Sequence, residues 1–295
     1  MQTKIKNIVF KNRWVLFVLP ALAFVAFIYI NPITNTIWYS LIKWEYLHKI
    51  GFNWFGNYIS IISSKHFFRS LLNNLVIIIG VVPTVTIFGL FFAQFIYTKI
   101  SGYKFYSFLF FMPVILPDIV VARVLTTLLN KVGPINTLLS EVGLDFFVVD
   151  WFGNPRFSLL AVMVSIIWKN IGFAMILFLA RLTTVDYSIY EAAKIDGATD
   201  MQAFRYISIP ILKGIIQINI ILQIIGLTSF LFNYIYVMTD GGPGFSSTVL
   251  EYFIYINAFK LQDIGRSSAA GLFLIIITII LVYSYLLVTK KRKNV

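Results

Sequence analysis

The sequence E-A-A-K-I-D-G-A at residues 191–198 is the most informative stretch of this chain, and it continues to Phe204, Ile207 and Pro210. The stretch is polar and rich in small residues, yet long apolar runs flank it on both sides. Small side chains let another backbone approach closely. In a membrane protein, such a loop on the cytoplasmic side is typical of a docking surface for a soluble partner. The alternative is an interfacial loop that binds nothing.

Local propensities in this stretch predict two short helices. Good helix formers precede Gly197, and a glycine lets the chain turn because it has no β-carbon. We therefore expect the first helix to end near Ile195. The second should begin with Asp200 as its N-cap and run through Tyr206, and Pro210 should limit its continuation.

Composition places the whole chain among membrane proteins. Hydrophobic residues make up 59% of its 295 residues and charged residues only 12%, far from the balance of a soluble domain. Six apolar runs are long enough to cross a hydrocarbon core of about 30 Å. The predicted fold is all-α and polytopic, with six transmembrane helices near Trp14–Ile30, Ser70–Tyr97, Phe105–Leu129, Ser158–Ala180, Gly214–Val237 and Ser267–Val288.

The net charge of +12 differs between the two sides of the membrane. With the N-terminus inside, the inner segments carry fourteen Lys and Arg residues against four acids, and the outer segments carry eight against seven. An excess of Lys and Arg marks the cytoplasmic side, so both termini and the 191–198 loop should be cytoplasmic. We expect the terminal run Lys290–Lys293 to touch membrane lipid rather than nucleic acid.

The residue inventory argues against several kinds of chemistry. The chain has no cysteine, which excludes disulfides, thiolate metal sites and cysteine nucleophiles. The two histidines, His48 and His66, lie in the first outer loop without companion ligands, so we expect no metal site. No phosphate-binding glycine loop is present, so we expect no ATP site of the Walker type. Because no cluster of catalytic side chains is evident, we also expect that the chain is not an enzyme. The apolar run from Trp14 exceeds a signal-peptide core, and we expect it to be a retained anchor.

The spacing E-A-A-x-x-D-G-A, followed by Phe204 and Pro210, resembles the cytoplasmic loop of permease subunits of binding-protein-dependent ABC importers. A second motif, D-G-G-P-G at residues 240–244 with Tyr252 and Phe259 after it, is similar to the sugar-import branch, the maltose-type channel subunits. The resemblance covers most of the chain, from about Asn53 to Val288.

This resemblance implies the ABC importer permease fold and a set of partners. The chain should pair with a second homologous permease subunit and with two ATPase subunits. An extracytoplasmic solute-binding protein should deliver a sugar, an oligosaccharide or a polyol. ATP and Mg would be bound by the partner ATPase, and this chain would bind no cofactor. The chain would be located in a bacterial or archaeal inner membrane, and transport would proceed by alternating access.

The apolar runs and the charge distribution divide the chain into parts. They predict a cytoplasmic tail over residues 1–13, a six-span domain over residues 14–289, which the resemblance identifies as a permease domain, and a basic cytoplasmic tail over residues 290–295. The cytoplasmic loop 182–213 contains what we call the coupling segment, Glu191–Pro210. Its implied ATPase-coupling residues are Glu191, Ala192, Ala193, Asp196, Gly197, Ala198, Phe204 and Pro210.

The fifth predicted span carries a stripe of amide and aromatic side chains. At about 100° per residue, one helix face holds Asn219, Gln223, Gly226, Phe230 and Asn233. Amides pair with sugar hydroxyls, and an aromatic ring stacks on the apolar side of a pyranose. We therefore expect Gln223, Phe230 and Asn233 on the substrate path. The alternative is that these amides bond packed helices together.

The fourth predicted span carries W-K-N-I-G-F at residues 168–173, near the middle of the membrane. The resemblance implies that Lys169, Asn170 and Phe173 help to line the sugar site. A lysine here departs from the family pattern. One interpretation is that its charge selects an anionic or strongly polar ligand; the alternative is that the side chain extends so that its ammonium group lies in a water-filled cavity.

Two opposite charges are expected at the same depth in the membrane. Asp118 lies about thirteen residues into the third span from the inside, and Lys169 about eleven residues into the fourth from the outside. An isolated charge there is costly. We therefore predict that Asp118 and Lys169 pair or share a wet cavity, with Arg123 as the rival partner of Asp118.

Other function classes are weighed against the importer. A permease for a non-sugar solute would carry the same coupling motif. A secondary transporter would need ion-coupling carboxylates and commonly an inverted repeat, and Asp118 is the only acid well inside a predicted span. A membrane-embedded enzyme would need catalytic groups clustered at one depth, and no cysteine or histidine lies in any span.

Overall fold

The computed structural model describes residues 13–98 and 102–291, and most of this chain is helical. Nearly all of the predicted N-terminal tail, and Arg292 and Lys293 of the basic tail, lie outside the described residues. In chain order the elements are α1 (Arg13–Val25), a π-helical turn (Ala26–Ile30), α2 (Asn31–Ser40), β1 (Ile42–Glu45), β2 (His48–Phe52), α3 (Gly56–Ile62), α4 (Lys65–Tyr97), α5 (Tyr103–Ile115), α6 (Asp118–Leu128), α7 (Pro134–Glu141), a 3-10 turn (Asp145–Phe147), α8 (Ser158–Leu182), α9 (Ser188–Ile195), α10 (Asp200–Ala203), a second π-helical turn (Phe204–Ser208), α11 (Ile209–Met238), α12 (Leu250–Tyr255), a third π-helical turn (Ile256–Lys260) and α13 (Ile264–Lys291).

Within the described residues, five helical runs are long and apolar enough to cross a membrane, and there are six if the bent pair α5–α6 is one span. This count agrees with the predicted six-span, all-α architecture. One small exception to the all-α prediction is the antiparallel hairpin of β1 and β2. Its turn places Tyr46 and Leu47 at φ values of 46° and 66°. The five runs are Phe17–Ser40, Lys65–Tyr97, Ser158–Leu182, Asp200–Met238 and Ile264–Lys290.

The third span differs from the straight helix that we predicted over Phe105–Leu129. Helix α5 ends at Ile115, α6 begins at Asp118, and the two are bent by 105°. Leu116 precedes Pro117 and takes an extended conformation with ψ 140°, as expected because a proline disfavours the α region in the residue before it. The prediction of one continuous helix is wrong, and so is the depth that we assigned to Asp118 within it.

The fifth span begins earlier than predicted, because the helical run extends from Asp200 to Met238. Thr199, not Asp200, is the N-cap of α10, in a capping box with Gln202. Pro210 does not end the run. It occupies the first turn of α11, after a π-helical turn in which the Ile209 N–H bonds to the Phe204 carbonyl. A proline is tolerated in a first helical turn, where its missing N–H costs least.

The described residues fall into two compact units. The first unit comprises the described chain up to Ser63 together with Ile254–Phe273. Its hairpin is held by Asn57, whose Nδ2 donates to the carbonyls of Ser40 and Ile42 at 2.8 Å each. Asn57 is buried, so these bonds satisfy groups that water does not reach.

The second unit comprises Ser64–Phe253 and the described chain from Leu274 onward. Its helices approach closely at small residues, as in other membrane bundles. A β-carbon on Gly89 would lie 2.6 Å from Ala174 Cβ, and one on Gly172 would lie 2.1 Å from the Phe110 carbonyl oxygen. Helix α8 therefore packs tightly against both α4 and α5. The candidate site lies in this unit.

Two adjacent asparagines near the start of α4 hold the segment that precedes and begins α12. Asn73 Nδ2 donates to the carbonyls of Ser246 and Thr248 at 2.9 and 2.8 Å. Asn74 Oδ1 accepts the Leu250 N–H at 2.7 Å, and Asn74 Nδ2 lies 3.1 Å from both carboxyl oxygens of Glu251. Glu251 is buried, and in the described part of the chain no cation pairs with it.

Burial raises the pKa of Glu251 from 4.5 to about 7, although the Asn74 hydrogen bonds oppose the shift. The folded state therefore binds a proton more tightly than the unfolded state does. The contribution of Glu251 to stability is therefore greatest below about pH 4.5 and is lost as the pH rises through about 7. We expect Glu251→Gln to remove this slope and to stabilise the protein at about pH 8 by up to roughly 3 kcal/mol.

Thermal unfolding of the purified protein between about pH 5 and pH 8 measures this difference. Glu141→Gln, at an exposed carboxylate at the end of α7, is the matched control and should leave the pH slope unchanged. An unchanged slope in Glu251→Gln would show that Glu251 titrates with its ordinary pKa.

Candidate functional site

A cleft lies between α4, α6, α8 and α11 and has a cavity volume of about 100 Å³. Most of its wall is apolar, but carboxylate, amide and phenol groups from three helices reach it. The residues that line it are Val81, Asp118, Ile166, Asn170, Phe173, Leu222, Gln223, Gly226, Leu227, Phe230, Leu231 and Tyr234. Concave, mainly apolar sites with a few placed polar groups are typical of small-molecule binding.

Asp118 is the charged group of this cleft, and it is the first residue of α6. Its Oδ1 accepts a hydrogen bond from the Lys169 ammonium on α8, with which it forms an ion pair. The same oxygen accepts the Tyr234 hydroxyl of α11 at 3.0 Å. The carboxylate also lies at a helix N-terminus, where a negative charge is favoured. One oxygen atom thus joins three helices.

The structure therefore brings Asp118 and Lys169 together, even though the straight-helix geometry used to predict their contact is wrong. Their side chains are 23% and 14% exposed. Arg123, the rival partner, is exposed on α6, and no ion pair of Arg123 occurs among the described residues. Lys169 is not among the residues that line the cleft, because its ammonium points to Asp118.

Aromatic and amide groups from α8 and α11 form the rest of the polar wall. Phe173 and Phe230 are both exposed and line the cleft. Asn170 Nδ2 donates to the Ile166 carbonyl of its own helix at 2.9 Å. Its amide oxygen has no such intrahelical role. Flat apolar rings beside amide groups match a ligand that has both apolar faces and hydroxyls.

The amides of the predicted α11 stripe separate into different environments. Asn219 Nδ2 and Gln223 Nε2 both donate to Thr86 Oγ1 of α4, at 3.2 and 3.5 Å. Asn219 is fully buried, so its bond to Thr86 fits the alternative that the amide holds two packed helices together. Gln223 also lines the cleft, and its buried Oε1 has no partner among the described residues. Asn233 is half-buried and does not line the cleft.

Tyr234 was missing from the residues predicted for this site. Its angular position on α11 lies about 40° from that of Phe230, because four residues advance a helix by about 400°. It belongs to the same face as the predicted stripe. The signal was therefore present, and a tyrosine inside a span needs a partner for its hydroxyl.

The predicted coupling segment forms α9, a turn, α10 and the π-helical turn. Glu191, Ala192, Asp196 and Gly197 are exposed, whereas Ala193 and Ala198 are half-buried. Gly197 has φ +81°, and a β-carbon there would meet nothing within 4 Å. Glycine is therefore required by the backbone conformation and not by crowding.

The two remaining predicted coupling residues face different surroundings. Phe204 packs inward against the ring of Phe91 on α4, with centroids 5.7 Å apart. Pro210 is exposed at the start of α11.

Three large apolar residues of the coupling segment were not predicted as site residues. Ile195 is 86% exposed, and Met201 and Tyr206 are exposed as well. Their signal in the sequence was large apolar side chains within an otherwise polar loop. Such exposed apolar groups with a charged rim are typical of a protein interface.

The ion pair of Asp118 and Lys169 should show strong energetic coupling. Asp118→Asn or Lys169→Met alone leaves the other charge partly buried and unpaired, and should destabilise the protein by about 3 kcal/mol. The double variant removes both charges and should lose less than the sum of the two single variants. Thermal unfolding of the four proteins measures the coupling.

Arg123→Met supplies a matched control on the same helix as Asp118. Because Arg123 is exposed and not paired with Asp118, its effect should add to that of Asp118→Asn. Strict additivity in the Asp118–Lys169 cycle would contradict an energetically important pair.

Comparison with known proteins gives a consistent result along the chain. The trehalose/maltose transport system permease protein MalF of Thermococcus litoralis is 31% identical over 278 residues, which is 94% of this chain and 92% of that protein. A crystal structure of a bacterial ABC transporter that imports the acidic polysaccharide alginate superposes with a TM-score of 0.82 at 21% identity, covering 98% of this chain and 99% of that chain.

A second alginate transporter structure, in complex with an alginate pentasaccharide-bound periplasmic protein, has a TM-score of 0.80 at 23% identity, with 95% and 94% of the two chains covered. The structural likeness concerns the fold. Residues 53–294 match the family described as binding-protein-dependent transport system inner membrane component. With its membrane-spanning helices, cleft and coupling segment, this chain belongs to that family, whose members are permease subunits of ABC transporters and not enzymes.

Proposed function

We propose that this chain forms half of the translocation pathway of an ATP-driven importer for a sugar, an oligosaccharide or a polyol. The observation that carries the proposal is the cleft in which Asp118, Asn170 and Gln223 lie beside the rings of Phe173 and Phe230. Hydroxyls of a sugar pair with the carboxylate and amides, and a ring face stacks on phenylalanine. The trehalose/maltose permease among its relatives supports the same ligand class.

The partners proposed for the chain follow from the family and from the exposed coupling segment. A second homologous permease subunit completes the pathway, two ATPase subunits bind ATP and Mg, and an extracytoplasmic binding protein delivers the ligand. The last is supported by the alginate transporter with its periplasmic protein. We place the chain in the inner membrane with both termini and the loop 182–213 on the cytoplasmic side. Lys290 then lies close to anionic lipid.

The charge of the cleft narrows the ligand class. Lys169 is engaged by Asp118, and the residues that line the cleft include no cation. An anionic ligand would therefore find no free cation among the described residues that line the cleft. A neutral polyhydroxylated ligand can instead donate hydroxyls to the Asp118 carboxylate, which lines the cleft. We therefore propose a neutral saccharide rather than an acidic one.

Affinity purification of the chain from its native membrane, followed by a ligand screen on the cognate binding protein, tests the function. The expected result is co-purification with an ATPase and with a second permease, and a neutral saccharide bound by the binding protein. Uptake driven by an ion gradient without ATP would favour the secondary transporter. A non-sugar ligand would keep the importer and overturn the sugar class.

The turn at Gly197 should be required for coupling ATP hydrolysis to transport. Leucine strains the backbone at φ +81°, whereas asparagine tolerates this conformation. We expect Gly197→Leu to abolish ligand-stimulated ATP hydrolysis in the assembled complex without preventing membrane insertion. Gly197→Asn should retain most of the activity. Equal activity in the two variants would exclude a role for the left-handed turn.

Phe230 should contribute to the affinity for the ligand through ring stacking. Removing an exposed ring from the cleft should cost about 1 kcal/mol, or roughly a fivefold loss of uptake at limiting ligand concentration. Phe230→Ala should reduce uptake in this way without altering assembly. Ser229→Ala, at the neighbouring exposed position outside the cleft, is the control. Wild-type uptake by Phe230→Ala would assign this ring to packing.

A further inference from the structure

A network of three hydrogen-bonded side chains, two of them buried, joins α9, the π-helical turn that precedes α11, and α4, at the end of the unit that carries the coupling segment. The Tyr190 hydroxyl lies 2.8 Å from Ser208 Oγ, and Ser208 Oγ donates to Gln94 Oε1 at 2.7 Å. Tyr190 is 3% exposed and Ser208 0%. None of the three belongs to the cleft or to the predicted coupling residues.

The chemistry of the three groups determines which group donates each hydrogen bond. A serine hydroxyl has one proton, and Ser208 gives it to the amide oxygen of Gln94, which can only accept. Tyr190 must therefore donate its own proton to Ser208. Burial raises the pKa of Tyr190, which keeps the phenol neutral and able to donate. Removal of the Ser208 hydroxyl leaves the buried Tyr190 hydroxyl without this partner, and removal of the Tyr190 hydroxyl leaves Ser208 bonded only to Gln94.

This hydrogen-bond network connects the coupling segment to two of the helices that line the cleft. Tyr190 immediately precedes Glu191, and Ser208 ends the π-helical turn that leads into α11. The ring of Tyr190 also packs on that of Tyr97, near the end of α4, with centroids 5.2 Å apart. Gln94 lies one turn before Tyr97. Both ends of the coupling segment are thus tied to the same end of α4.

We propose that the Tyr190–Ser208–Gln94 hydrogen-bond network is a rigid connection that makes α9 move as one body with α4 and α11. Movement imposed on the coupling segment then reaches the cleft through both helices, which line it at Val81 and Gln223. Those residues lie thirteen and fifteen positions from Gln94 and Ser208, or roughly 20 Å along each helix. The three side chains are positioning residues, and the proposal rests on the proposed function as an ATP-driven importer.

The absence of cysteine from the sequence allows a direct test by distance measurement between two spin labels. Cysteines replace Ile189 on α9 and Ile218 on α11, both exposed. The complete complex with its ATPase is measured in nanodiscs without nucleotide and after trapping with ATP and vanadate. In the parent protein, the distance between the labels should stay within about 2 Å between the two states, because α9 and α11 move together.

Tyr190→Phe and Ser208→Ala should each release this constraint. Tyr190→Phe keeps the ring contact with Tyr97 and removes only the hydroxyl. In either variant we expect a broader distance distribution and a change of roughly 5 Å on trapping, the scale of one helical turn. The double variant should show the same distance distribution as the single variants, because both substitutions interrupt the same hydrogen-bond network. Additive broadening of the distribution in the double variant would contradict a single rigid connection.

Tyr187→Phe is the matched control, because Tyr187 stacks on Tyr190 but is exposed. No hydrogen bond of its hydroxyl is seen among the described residues, so its distances should equal those of the parent. Parent-like distances in both Tyr190→Phe and Ser208→Ala would overturn the proposal. Failure of the wild-type chain to co-purify with an ATPase would instead overturn the proposed function, and this inference with it.

Discussion

A charged carboxylate within a bundle of apolar helices has to be neutralised inside the protein, since the surrounding hydrocarbon offers no solvation. Asp118 meets this constraint through Lys169 and Tyr234, which belong to two other helices. The requirement fixes where α6, α8 and α11 stand relative to one another. The cleft is the space that remains beside that contact point, so its shape and its charge have the same physical origin.

Helix α4 extends this principle over the length of the bundle. It carries polar side chains at three levels, and each bonds to a different neighbour. Asn73 and Asn74 hold the segment that precedes and begins α12. Thr86 accepts hydrogen bonds from Asn219 and Gln223 of α11, and Gln94 accepts one from Ser208. Because buried polar groups are costly without partners, these bonds specify how neighbouring elements register on α4, while apolar packing supplies most of the contact area.

The sequence predicted the class of the fold and most of the spans, because apolar runs and small-residue motifs are local features. It did not predict the break at Leu116 and Pro117, although the two prolines of α5 and the turn carried that information. The contact of Asp118 with Lys169 was expected from charge compensation alone, and it survives the failure of the helix geometry. Periodicity placed Tyr234 on the predicted face, but the partner of its hydroxyl, like the hydrogen bonds of Ser208, depends on which helices meet, and periodicity along one helix cannot supply that. Thr199 displaced Asp200 as the cap because Gln202 stands at the position that completes a capping box.

The continuous helical run from Asp200 to Met238 determines how far one of its ends moves when the helix tilts. At about 1.5 Å per residue its 39 residues span about 58 Å, roughly twice the thickness of a hydrocarbon core. A rod of that length converts a small tilt into a large displacement, since a rotation of about 5° about one end moves the other by about 5 Å. Access to the cleft can thus change by the width of a water molecule or more while every helix keeps its internal hydrogen bonds.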